Sequence, residues 1–306
     1  GTAALDTIPR KSSVSCTDAN VGSSAVVTIN RASSSFTHTL TYVFGSLSGT
    51  IETKTNKTSV AWTFPTTFYG QMPTRTSQGT ITCETFNGDT SLGTTTCTFT
   101  ATAVDTVSVS GTVVDTNSKT IALTGNSSKL IKYFSTAKAT ITASTNNSAT
   151  IKSKTINGVE VSADKTFSNC ETTSFVFAAR DNRDYSKSVT ISPSMVNYIN
   201  LTNNAAVSRL SATGDAVKLS LSGNFFNGSF GAANNTLTCK YRYCVSGGTF
   251  GGDQTVTAVK SGNGYSYSAQ LSGFDYQNRY TIEVVVSDAL MTVTKTLTLL
   301  EGTPIF

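Results

Sequence analysis

The stretch SSSFTHTLTYVFG, Ser33–Gly45, decides the fold class. Counted in twos, Phe36, His38, Leu40, Tyr42 and Phe44 share one side of an extended chain, and Thr37, Thr39, Thr41 and Val43 share the other. Side chains alternate across a strand, so one row faces a core and the hydroxylated row faces water. His38 is the only histidine in the chain. Its place in the apolar row predicts packing, since a catalytic histidine needs a nucleophile or carboxylate beside it and a cleft around it.

The same alternation recurs along the chain between turns rich in Gly, Asn, Asp and Ser, which is the signature of a sandwich. Residues 1–103 carry the runs SVSC, SAVVTINR, FTHTLTYVF, GTIETKT, TSVAWTF, GTITCETF and TTTCTFTAT. Seven strands in roughly 100 residues is the proportion of an immunoglobulin-like domain. Trp62 is the large apolar body expected at its centre, although the cysteine spacing of antibody domains is not met. Residues 104–192 repeat the style with VSVSGTVVD, KTIALTG, KATITAS, SATIKSKT, VEVSAD, TSFVFAARD and SKSVTIS. SSKLIKYFSTAKA is the one helical candidate, and its composition pulls it towards a loop entering a strand. Residues 193–306 run through VNYINLT, DAVKLSLSG, LTCKYRYC, QTVTAV, YSYSAQLSG, RYTIEVVVSD and TVTKTLTLL. There Phe274 precedes Tyr280 by six residues, as in the corner of fibronectin type III domains where a tyrosine hydroxyl ties back to upstream backbone. The expected fold is all-β, three tandem immunoglobulin-like or fibronectin type III-like sandwiches. The connectors TAVDTVS and ISPSMVN are too short for free swinging, which predicts a stiff rod.

Composition narrows the function classes. Charged residues make up 13% of the chain and the net charge is +5, with no run of Lys or Arg. No electrostatic footprint for nucleic acid results. No apolar stretch reaches the ~18 residues of a membrane span, and the opening GTAALDTIPRK has no signal-peptide pattern. Six cysteines in 306 residues are too sparse for a disulfide scaffold. Cys83 and Cys97 lie about equally far from the turn NGDTSLG and are expected face to face as buried thiols, a bond being the alternative. Cys239 and Cys244 lie on opposite faces of one strand and cannot bridge. With no Cys/His ligand spacing, neither metal nor cofactor is expected.

Candidate sites are few. Asp181 with Asp184, or Asp275 with Glu283, are the thin possibilities for paired carboxylates, and the first pair reads better as turn-forming acids. DNRD echoes a calcium loop but lacks its glycine and bidentate glutamate. The threonine row of Ser33–Gly45 suggests a crystal-binding face only if it persists on neighbouring strands, and none is expected there. Sugar recognition uses aromatic faces beside amides, and two loops have that composition. FPTTFYGQMP offers Phe68, Tyr69 and Gln71; GNFFNGSFGAANN offers Asn224, Phe225, Phe226, Asn227 and Phe230. The competing reading is that these aromatics plug the ends of their own sandwiches or meet another protein chain.

TIPRKSSVS, VTINRASSSFTHTLTYVFGSLSGTI, FYGQMP, ALTGNSSKLIKYFSTAKATITA, GNFFNGSFGAANNTLTCKYRY and EGTPIF carry a family resemblance over essentially the whole chain. It resembles minor structural proteins of long-tailed phages and prophages of streptococci and related Gram-positive bacteria, of which it looks like an internal piece. The ARDNRDYSKS segment departs from that family's glycine near position 184. The resemblance implies a virion component of the tail tip or baseplate, assembled in the bacterial cytoplasm, partnered by other tail or baseplate proteins, and with no catalytic residue to map. It leads to a non-enzymatic spacer that supports host attachment, or else a carbohydrate-binding adhesin for bacterial surface polysaccharide. Homotrimers are common among tail-tip proteins, but no heptad or collagen repeat enforces one, and the expected state of this stretch is monomeric.

Overall fold

The computed structural model describes residues 10–303, so the chain ends that read as cut lie outside the described residues. The fold is all-β, three tandem sandwiches of the immunoglobulin and fibronectin type III kind. No described helix is long and apolar enough to cross a membrane.

The first sandwich is built from β1 (Ser13–Cys16), β2 (Ala19–Asn20), β3 (Ser24–Asn30), β4 (Thr37–Phe44), β5 (Leu47–Thr55), β6 (Ser59–Thr63), β7 (Thr76–Asn87) and β8 (Thr90–Thr102). One sheet runs β1-β3-β6 and the other β2-β8-β7-β4-β5. All seven expected strands form, and β2 is the addition: the chain leaves the first sheet after Cys16, and Ala19–Asn20 then pairs in parallel with Ala101–Thr102. The core is aromatic. Phe44 stacks on Phe68 with centroids 4.1 Å apart, and Trp62 meets Phe99 edge-on at 5.2 Å. Gly79 pairs with Phe99 across β7 and β8, and a Cβ there would lie 2.2 Å from that ring, so only glycine lets the ring lie flat over the strand. The outer threonine row does persist on neighbouring strands, contrary to expectation. Thr50, Thr41, Thr82 and Thr96 stand side by side from β5 to β8. β-branched hydroxyl side chains suit a pleated, wet face, and cross-strand Thr pairs stabilise it.

The middle block contains β9 (Ser108–Asp115), α1 (Ser118–Thr124), β10 (Lys129–Ile131), β11 (Ala137–Ser144), β12 (Ile151–Ile156), β13 (Val159–Glu160), β14 (Asp164–Phe167), β15 (Phe175–Asp181) and β16 (Ser186–Ile191), and β17 (Ser194–Val196), from the start of the third block, adds to it. Its sheets run β14-β11-β9 and β13-β12-β15-β16. KTIALTG was expected as a strand and is the helix α1. Capping overrides its alternation: the Asn117 side chain accepts from Lys119 N at 3.0 Å, and Gly125, at φ 68°, closes the last turn. SSKLIKYFSTAKA becomes β10 and a loop into β11, as read from sequence. Of VNYINLT, only its first residue, Val196, belongs to a strand, β17, which pairs in parallel with β10.

The third sandwich comprises β18 (Ala206–Arg209), β19 (Val217–Asn224), β20 (Thr238–Val245), β21 (Gln254–Val256), β22 (Val259–Ser261), β23 (Gly264–Leu271), β24 (Tyr280–Ser287) and β25 (Thr292–Leu299). Its sheets run β18-β19-β23-β22 and β21-β20-β24-β25. Leu219, Leu221, Phe225, Ile282, Val284 and Val286 fill it. Tyr280 is held by ring packing, 5.0 Å from Phe274 and 6.2 Å from Tyr243, and its hydroxyl makes none of the described hydrogen bonds. The expected tie to upstream backbone is therefore replaced by an aromatic triplet.

By compactness the described chain divides into two units, and the division passes through the middle block. One unit holds residues up to Thr112 with Thr140–Asp164 and Phe175–Ile191; the other holds Val113–Ala139, Lys165–Ser174 and residues from Ser192 on.

Candidate functional site

The two aromatic loops singled out by composition each end up at a join between successive sandwiches. In FPTTFYGQMP, Pro65 leads into a 3-10 helix, Thr66–Gln71, whose Phe68 is wholly buried in the first core. Gln71 faces the β4–β5 turn, where its Oε1 accepts from Ser46 N at 3.0 Å and the Ser46 hydroxyl at 3.1 Å. The turn residue Gly45 has φ 57°, and a Cβ there would stand 2.5 Å from that oxygen. Tyr69 is half-buried, its hydroxyl donating to Val21 O at 3.4 Å.

What meets this loop is the DNRD turn between β15 and β16. The Arg183 guanidinium is buried and donates from Nε to Met72 O at 2.9 Å and from Nη2 to Tyr69 O at 2.5 Å. Its Nη1 reaches Asp105 at 2.9 and 3.0 Å, and Asn147 O at 2.9 Å. Buried charges persist when paired and hydrogen-bonded, and this one has both. Asp181 organises the turn: its carboxylate accepts from the backbone N–H of Arg183 and of Tyr185, each at 2.9 Å, and from the Thr145 hydroxyl at 3.2 Å. Asp184, at φ 70°, pairs with Arg180 at 3.0 Å. Around the rim, Asn182 Nδ2 donates to Pro73 O at 3.0 Å and the Tyr185 hydroxyl to Ala103 O at 2.7 Å. Arg75 lies over the Tyr185 ring at 4.0 Å. These acids are turn and junction groups, as one of the two sequence readings held.

GNFFNGSFGAANN has a parallel fate in the other unit. Phe225 is buried in the third core, and Phe230 is buried with Ile131, Val196 and Tyr198 in a separate cluster that Phe226 borders. Ala232 and Ala233 both donate to Leu123 O at 3.1 Å, so the loop docks on the end of α1. The Tyr198 hydroxyl donates to Asp288 at 2.7 Å, and burial with that bond raises its pKa. Asn235 Nδ2 donates to the same carboxylate at 3.0 Å. Asn224 and Asn227 are exposed, with Asn227 Nδ2 donating to Gly262 O at 3.0 Å.

Phe68, Phe225 and Phe230 are buried, and Tyr69, Gln71 and Phe226 make their contacts within the chain, in line with the reading that these aromatics plug the ends of their own sandwiches. The reason is steric. Rings at the end of a sandwich are the nearest apolar material for closing a join. Sequence reasoning missed Arg183 and Asp105. The signal available was the alternation Ala103, Asp105, Val107, which puts an acid in a buried row and so requires a cation against it.

His38 is fully buried, with Nε2 2.8 Å from Ser12 Oγ. The backbone of Ser12 is fixed in turn by Thr85 Oγ1, which accepts from its N–H at 3.0 Å, and by the Thr95 hydroxyl, which donates to its carbonyl at 2.7 Å. Burial holds the imidazole below its ordinary pKa, against the opposing pull of the Thr55 backbone. The cysteines are free thiols. Cys83 pairs with Thr95 and Cys97 with Ile81, so the two are diagonal rather than face to face. The hairpin turn is only Gly88–Asp89, and a register shift after Thr85 displaces the strands. Burial pushes Cys83 up to about 11 and Cys16 to about 12.

Among solved structures, the I-band fragment I67-I69 from titin aligns with a TM-score of 0.44 at 9% identity, over 97% of this chain and 100% of that one. A 1.5-MDa bacterial ice-binding adhesin aligns at 0.31 with 14% identity over 97% and 100%, and chicken CNTN1 FN1-FN3 at 0.23 with 11% over 96% and 98%. No curated protein matches. The sequence model of a family described as "Siphovirus protein of unknown function (DUF859)" matches residues 1–176.

Proposed function

The chain belongs to this siphovirus protein family, and from that premise we propose that it is a structural component of the phage tail. In this reading it is a non-enzymatic spacer at the tail tip or baseplate, divided into modules at 1–103, 104–192 and 193–306. It holds receptor-binding parts at a fixed reach while other tail or baseplate proteins flank it. The motivating phrases in the sequence make a streptococcal or related Gram-positive host the expected one, with assembly in the bacterial cytoplasm. Several copies on one particle would turn weak host contacts into avidity.

One observation carries the reading: a fully buried arginine of the middle block donates to backbone carbonyls of the first sandwich and to the connector's Asp105. A spacer needs connectors that resist bending, and a packed, ion-paired connector is suited to that. Sugar binding is less well supported, because the aromatics that would stack on a ring are used at the joins. Cryo-electron microscopy of an intact particle tests the location, and small-angle scattering of the isolated chain tests the stiffness. Density for these modules at the distal tail with one narrow distance distribution is expected. Location in the capsid, or a broad distribution of shapes, would overturn the reading.

A further inference from the structure

We infer that the first two sandwiches are a single thermodynamic unit, coupled through Arg183. The connector itself is packed: Ala103, Asp105 and Val107 are buried while Val104 points outward. It therefore offers no free segment at which one sandwich could open without disturbing the other. Arg183 belongs to a turn of the middle block, yet two of its acceptors, Tyr69 O and Met72 O, belong to the first sandwich, and a third, the Asp105 carboxylate, belongs to the connector. Only Asn147 O comes from its own side.

Opening either sandwich alone separates this cation from its acceptors. Each hydrogen bond from a charged group that is lost on opening shifts an equilibrium by roughly tenfold to a hundredfold. That factor is large enough to keep a half-open molecule scarce, so the two sandwiches open together. The Tyr185 hydroxyl on Ala103 O and the Arg75–Tyr185 stack add to the same coupling.

Hydrogen exchange by mass spectrometry on the full chain tests it. Opening constants are compared for β3 and β6 of the first sandwich and for β12 and β15 of the middle block. In the native protein they are expected to agree within about threefold. In Arg183→Met, which keeps the bulk and removes the charge, they are expected to separate by tenfold or more. Asp105→Asn, which preserves shape, carries the test should the first variant not fold. Unequal constants in the native protein would overturn the inference, and so would constants that stay equal in the variants.

Discussion

Gly231 lies against the end of α1, where a Cβ would stand 2.6 Å from the Thr124 carbonyl oxygen. Its φ of 138° lies where side chains are rarely tolerated. Gly231→Val therefore meets both strain and collision, and it is expected to destabilise the chain by about 1–3 kcal/mol. Urea denaturation followed by tyrosine fluorescence measures the loss. An unchanged midpoint would show that the loop does not bear on α1.

His38 makes stability depend on pH. Its folded pKa lies below its ordinary value because burial disfavours the charged ring. Below about pH 6.5 the unfolded chain takes up a proton that the folded chain declines. The stabilising contribution is therefore complete above that pH and is lost as pH falls towards the folded value. His38→Gln, which can still bond Ser12, is expected to flatten the pH dependence of the denaturation midpoint between pH 7 and 5. An identical slope in variant and parent would refute this.

The thiols should be inert in the folded state. Cys83 and Cys16 are raised to about 11 and 12, and the thiolate is the reactive form. Reaction with an aromatic disulfide reagent at pH 7 is expected to be slow until denaturant is added, then fast at all six cysteines. Rapid labelling of Cys83 or Cys16 without denaturant would contradict the burial described.

Phe68 and Phe225 are core residues by position and exposure. Truncation of either to Ala is expected to cost about 3–5 kcal/mol, visible in thermal unfolding. A variant with native stability but reduced adsorption to host cells would instead restore the sugar-binding reading.

Lys295 sits in the inward row of β25, an edge strand, paired with Val284. A charge placed there discourages strand-to-strand association with another molecule. Lys295→Val is expected to promote self-association, measured by light scattering against concentration. A variant that self-associates no more than its parent would assign edge protection elsewhere.

Alternation every second residue was enough to place the longer strands, since the row containing Phe36, His38 and Leu40 has one solution in a half-buried sheet, whereas β2, β14, β18 and β22 are too short to show a period and were not read. KTIALTG escaped because Ile121 and Leu123 mimic a strand, while the Asn117 and Gly125 caps act through backbone geometry that hydropathy does not register. The fate of the aromatic loops was half legible. Composition marked them as special, but not what they would touch, because Arg183 and Asp105 are 78 residues apart in sequence and meet only after both sandwiches exist.

β2 gives the first sandwich a directional property. Ala19–Asn20 runs parallel to Ala101–Thr102, with Val21 N adding a bond to Thr102 O at 2.9 Å. Tension applied through the two ends of this sandwich pulls those strands past each other along their length. The bonds joining them are then loaded together in shear rather than peeled one after another, so the entry and exit of the module resist extension as a group.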